Sequence, residues 1–198
     1  MKAIILLSTL KKENSSNTQT LSEFFAQQLE KRNVECEIIK LVNYNILAGT
    51  YSDMGEGDEW PGILKKIKAA KIILFSTPVW WGSHSSEMQK VIERLDHIHD
   101  EILEGKKSQL DGKVGGIIVT GDSDGAEQII GIISNFLNAI GIIFPPYASL
   151  SVLWKGQEKG ATTTRSELME KYVKEFTKTA ETMAEQLVKF ASKNSYAS

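Results

Sequence analysis

The chain has 198 residues, 41% of them hydrophobic and 24% charged, with a formal net charge of -2. That is ordinary for one globular domain with a buried core, expected here over residues 1–192 with a frayed tail at 193–198. Near-neutral charge gives no electrostatic case for nucleic acid or an anionic membrane, and it sits poorly with the strongly acidic surface of a pure electron shuttle.

The start, MKAIILLSTLKK, has a short apolar run that turns polar without a small-residue cleavage signature. It reads as a buried strand over Ala3 to Leu7 and not as a signal peptide. Leu21, Phe24, Phe25 and Leu29 then recur at helical spacing, with Ser16 and Gln19 resembling a capping box at the start of that helix. Val34 to Leu41 alternates as a second strand and contains Cys36, the single cysteine. One cysteine excludes an intramolecular disulfide and a cysteine-ligated cluster within the chain; Cys36 itself reads as a packed strand residue. Asn43 to Glu59 is a long, Gly-rich, acidic loop, a lid or a dimer arm. Trp60, Ile63, Leu64 and Ile67 stripe the next helix, with Pro61 tolerated in its first turn.

Ile72 to Phe75 is the third strand, and Met88, Val91, Ile92 and Leu95 stripe the helix that follows. Val114 to Val119 is the fourth strand. Ala126, Ile129, Ile130, Ile133, Leu137 and Ile140 form a helix closed by Gly141. A fifth strand falls at Ile142 to Phe144 or at Ser149 to Leu153. A last helix runs from about Ser166 to Phe190. No run approaches the roughly 18 apolar residues that span a bilayer, and the expected location is the cytoplasm.

Strands alternating with helices imply βαβ units and a parallel sheet covered on both faces. The fold class expected is α/β, a three-layer doubly wound sheet of five strands in the order 2-1-3-4-5. Ligands of such sheets bind beyond the carboxyl ends of the strands, so the segments after strands one, three and four share one edge.

The first segment carries Thr9, Lys11, Ser15, Ser16, Asn17 and Thr18 and enters a helix. Free N–H groups and hydroxyls there suit a phosphate; an ordinary capped helix start explains the same residues. It is neither a Walker A nor a GxGxxG motif. The second places Trp80 and Trp81 between Pro78 and Gly82, either lining a flat, partly polar ring or packing in a subunit interface. The third, Thr120 to Glu127, sets Gly121 and Gly125 around Asp122 and Asp124, which suits close backbone approach to a ligand or a plain turn. Two carboxylates are too few to argue a cation, and His97 and His99, two apart, do not share a helix face; no metal is expected. His84 is a candidate donor to a nicotinamide or substrate.

The motifs STLKKENSSNT, TPVWWGSHSSEMQKVIERLD and TGDSDGAE, in this order, resemble those of the flavodoxin-like NAD(P)H-dependent FMN reductases over about residues 1–155. The opening loop departs from that family: it lacks the glycine, and Lys11 stands where arginine is usual, keeping charge without a bidentate fork. The resemblance implies that Thr9, Lys11, Ser16, Asn17 and Thr18 bind the FMN phosphate. It implies that Pro78, Val79, Trp80, Trp81, Gly82 and Ser83 hold the isoalloxazine ring, with Thr120, Gly121, Asp122 and Gly125 on its other side. It further implies NAD(P)H as hydride donor, a quinone, nitro, azo or free-flavin acceptor, no side-chain acid or base, and a homodimer or homotetramer. A flavodoxin-like electron carrier and a non-catalytic FMN-binding module are the competing functions.

Overall fold

The computed structural model describes residues 1–13 and 16–193; Ser15 and the tail from 194 lie outside the described residues. Five strands form one parallel sheet, β1 (Lys2–Leu7), β2 (Glu35–Lys40), β3 (Ile72–Pro78), β4 (Val114–Gly121) and β5 (Ser149–Leu153), in the order β2-β1-β3-β4-β5. The central strands β1, β3 and β4 are the continuous apolar runs, buried on both faces as parallel packing requires. β5 is the second of the two expected positions; Ile143 makes only an isolated bridge to Val114.

Five helices cover the sheet: α1 (Asn17–Glu30), α2 (Trp60–Ala69), α3 (Ser86–Leu103), α4 (Ala126–Ala139) and α5 (Arg165–Lys193). Two apolar layers result. Trp60, Met88, Val91, Ile129 and Leu137 from α2, α3 and α4 pack on one face. Phe24, Phe25, Tyr172, Met183 and Leu187 from α1 and α5 pack on the other. The stripes read at helical spacing are those that pack.

Capping fixes where α1 begins. The Ser16 hydroxyl accepts the Gln19 N–H at 3.1 Å, but the reciprocal bond of a capping box is not made, because the Gln19 amide turns to Glu23. α3 is capped in the same way by Ser85, whose hydroxyl accepts from Met88 N–H and donates to the Ser8 carbonyl at 2.7 Å. The start of α3 is thereby tied to the end of β1.

The segment between β2 and α2 is folded and anchored. Asp58 and Arg94 of α3 form an ion pair at 2.6 Å with both side chains fully buried. Arg94 also donates to the carbonyls of Leu47 and Tyr51, while Asp58 accepts the N–H groups of Leu47, Met54 and Trp60. The Arg94 guanidinium lies 5.6 Å from the Trp60 ring centroid. Cys36 is half-buried, and burial, with Glu30 nearby, pushes its thiol up to about 12; it is a packing residue with almost no thiolate at neutral pH.

Candidate flavin site

The sheet topology decides where a cavity opens. At the carboxyl edge, the segments after β1, β3, β4 and β5 enclose a cleft of about 790 Å³, within the range of small-molecule and cofactor sites. Of the residues expected to hold the flavin, all but Ser83 and Gly125 line it. Those two stand behind the lining. Ser83 closes the turn opposite Trp80, each accepting the other's N–H at 2.8 and 2.9 Å. Gly125, at φ +92, packs so closely on the Gly82 backbone that a Cβ there would come within 2.8 Å of the Gly82 Cα. These glycines allow the connections after β3 and β4 to touch.

The first wall is the start of α1. Gln19 N–H is taken by Ser16, and Asn17 and Thr18, the first two helical residues, have backbone N–H groups with no partner among the described residues. Such orphan donors, at the positive end of a helix, fit an anionic ligand. Thr9 is buried and its hydroxyl accepts the Lys11 N–H. The Thr18 and Thr120 hydroxyls meet at 2.6 Å. The pair holds two hydroxyl protons and uses one internally, leaving one to donate outward.

The second wall is the turn from Trp80 to Ser83. Trp81 sits at φ +50 and Gly82 at φ +72. Positive φ at both central residues is the type I′ pattern, where Asn-Gly is favoured and tryptophan is strained. The Trp81 side chain is fully exposed at 101% and Trp80 partly so at 40%. Glycine tolerates this conformation, so the strain of the turn falls on Trp81. His84 does not line the cleft: its Nε2 faces the Gln89 Oε1 at 2.7 Å.

The third wall carries Thr120, Gly121 and Asp122, with Ser123 and Asp124. A fourth wall was not read from the sequence. It is the segment after β5, including Gly156, Gln157, Lys159 and Arg165. Gln157 is its anchor: its backbone carbonyl accepts the Asn17 side-chain N–H at 2.9 Å, and its amide bonds to Gly121, Val152 and Tyr172. The partner of Asn17 is 140 positions away, so no local motif announces the contact.

Comparison with known proteins decides the family. A family model described as NADPH-dependent FMN reductase matches residues 1–152. The chain belongs to the NADPH-dependent FMN reductase family. Among curated relatives of this chain, an 8-demethyl-8-aminoriboflavin-5'-phosphate synthase of Streptomyces davaonensis is 31% identical over 166 residues, covering 79% of this chain and 64% of that protein. A protein named as a divalent metal cation transporter of Mycobacterium bovis is 29% identical over 162 residues, covering 79% of this chain and 23% of that one. The chain therefore spans just under two thirds of the first relative and about a quarter of the second.

Solved structures agree on the fold. RosB with bound 8-demethyl-8-formylriboflavin-5'-phosphate superposes with a TM-score of 0.82 at 25% identity, covering 99% of this chain and 81% of that one. A flavone reductase gives 0.73 at 16%, covering 100% and 65%. An archaeal flavodoxin gives 0.56 at 18%, covering 94% and 99%. Family membership supports FMN as the bound group. The residues present fit it: orphan N–H groups and hydroxyls suit its phosphate, and the aromatic turn between close-packed glycines suits its ring.

Proposed function

We propose that this protein is an FMN-dependent oxidoreductase that takes electrons from NAD(P)H and passes them to a small acceptor such as a quinone, a nitro or azo compound, or free flavin. The observation that supports it most is the meeting of an orphan-donor helix start and an aromatic type I′ turn in one cleft. In this reading Thr9, Lys11, Ser16, Asn17 and Thr18 receive the phosphate, each hydrogen bond to the charged group contributing about 1.5–3 kcal/mol. Pro78, Val79, Trp80, Trp81 and Gly82, backed by Ser83, hold one side of the ring. Thr120, Gly121 and Asp122, backed by Gly125, hold the other. When bound, FMN supplies the chemistry, accepting hydride from a nicotinamide and delivering two electrons to the acceptor. The protein's share is to clamp the phosphate, orient the ring through backbone donors and keep one face open for stacking. The proposal includes a homodimer or homotetramer in which a second subunit closes the flavin site.

A second reading has a specific support: a relative at 31% identity is named as a synthase of an amino-riboflavin phosphate. In it the same cleft takes a flavin phosphate as substrate. One experiment separates the readings. The purified protein is loaded with FMN, and one portion is mixed anaerobically with NADH or NADPH. A second is incubated in air with an amino-group donor, because exchanging a ring methyl for an amino group needs both an oxidant and a nitrogen source. The flavin recovered from each is weighed by mass spectrometry. Rapid bleaching with unchanged flavin mass supports the reductase. A flavin mass changed by the exchange of a methyl for an amino group in the aerobic portion supports the synthase-type reading. Yellow protein that does not bleach leaves a carrier or binding module. Protein that cannot be loaded with FMN refutes all of them.

A further inference from the structure

We infer that Gln157, which lies beyond the matched family region of residues 1–152, is a positioning residue of the cleft, holding the Gly121–Asp122 peptide so that the Asp122 N–H is offered to an acceptor atom of the bound flavin ring. The inference rests on the flavin reading above and adds a residue and a contact to it.

Gln157 is buried, and both N–H groups and the oxygen of its side-chain amide are hydrogen-bonded. Nε2 donates to the Gly121 carbonyl at 2.7 Å and to the Val152 carbonyl at 2.8 Å. Oε1 accepts from the Tyr172 hydroxyl. Two backbone carbonyls can only accept, so the amide has one possible orientation, and Tyr172 must be the donor to it. Burial pushes the Tyr172 phenol above its ordinary range, which keeps that donor protonated.

The Gly121 carbonyl also takes the Trp154 N–H at 3.0 Å. Two donors from the β5 side therefore pin it. A trans peptide directs its carbonyl and the following N–H to opposite sides, and the described chain contains no cis bond. β4 lies between β3 and β5. With the Gly121 carbonyl held toward β5, the Asp122 N–H is turned toward the β3 side, where Pro78 to Gly82 line the cleft. That N–H has no partner among the described residues. A leucine or methionine at 157 would release one of the two pins. A glutamate would set a carboxylate against two carbonyl oxygens.

The test measures FMN and riboflavin affinity by flavin fluorescence for the full-length protein, Gln157→Met and Gln157→Glu, with apo-protein melting temperatures alongside. Riboflavin lacks the phosphate, so it isolates the ring. Both variants are expected to bind FMN and riboflavin more weakly by the same factor, roughly three- to tenfold for one hydrogen bond, with a shifted absorption band of the bound flavin. Independently, the Asp122 backbone amide resonance of the unmodified protein should move on riboflavin addition, a readout that needs no folded variant. Loss of FMN affinity alone would relocate the effect to the phosphate through Asn17 and overturn the inference. So would a lowered melting temperature with unchanged affinity for both flavins, or an unmoved Asp122 resonance. If the unmodified protein binds neither flavin, it is the flavin reading itself that fails.

Discussion

Trp81 is unfavourable in the free protein on two counts. Its backbone sits at φ +50, which costs an L-residue with a side chain about 1–2 kcal/mol, and its ring is fully exposed to water. Strain of this kind persists where function needs it. Trp81→Asn separates the two properties, because asparagine is at home in the first central position of a type I′ turn. The variant should melt at the same temperature as the parent or higher, since no packed contact is lost. Its FMN affinity should fall by about 0.5–1.5 kcal/mol, the usual worth of an aromatic contact beyond buried area. Fluorescence titration beside a thermal melt checks both signs at once. A lower melting temperature with unchanged affinity would make Trp81 a packing residue. Trp80, only partly exposed, is the better candidate for the ring's edge, and Trp80→Ala should shift the absorption spectrum or potential of bound flavin.

At the scale of elements, the segment from Leu41 to Trp60 hangs on Asp58 and Arg94. Burial pushes the Asp58 carboxyl up, but the Arg94 guanidinium and the N–H groups of Met54, Trp60 and Leu47 outweigh it and hold it at about 2. A carboxyl depressed in the folded state contributes stability in full above its unfolded value near 4, and that contribution is lost as pH falls toward 2. Urea unfolding at stepped pH should therefore steepen in its pH dependence between about 4 and 2, and Asp58→Asn should be less stable at pH 7 but flatter across that window. Arg94→Met strands a buried carboxylate and should cost about 3–5 kcal/mol, read as a lower urea midpoint. This segment was legible only as a long loop, because its anchor joins residues 36 positions apart. The neighbouring strands were legible for the opposite reason: Ala3 to Leu7 and Ile72 to Phe75 are apolar without interruption, and burial on both faces leaves that mark in the chain itself. Ser16 announced the start of α1 because a cap is local. Gln157 announced nothing, since its partners come from α1, β4, β5 and α5. The strain at Trp81 also escaped, because a tryptophan in a turn carries no sign of its φ.

For the molecule as a whole, the cleft and the fold are stabilised by the same connections. The segments after β1, β3, β4 and β5 all line it, and only the one after β2 stays away. Beneath it, buried hydroxyls join the sheet to α1: Ser22 bonds Ser76 at 2.8 Å and the Thr18 carbonyl at 2.8 Å, and Ser8 donates to the Ser76 carbonyl. Ser76 has no exposure to water, so Ser22→Ala strands its hydroxyl. Ser76→Ala, by contrast, leaves Ser22 its Thr18 partner. A ligand touching four of the five connections cannot remain bound once any large part of the sheet opens, so its binding energy adds to global stability and not to one loop. At a hundredfold excess over its dissociation constant, one such ligand contributes about 2.7 kcal/mol. For a chain of this size that is a rise in melting temperature of roughly 5–10 °C. FMN should produce that rise in a single cooperative transition, and riboflavin a smaller one at equal concentration because the orphan donors of Asn17 and Thr18 go unused. A split transition, with one part insensitive to FMN, would mean that the cleft is carried by a subset of the fold.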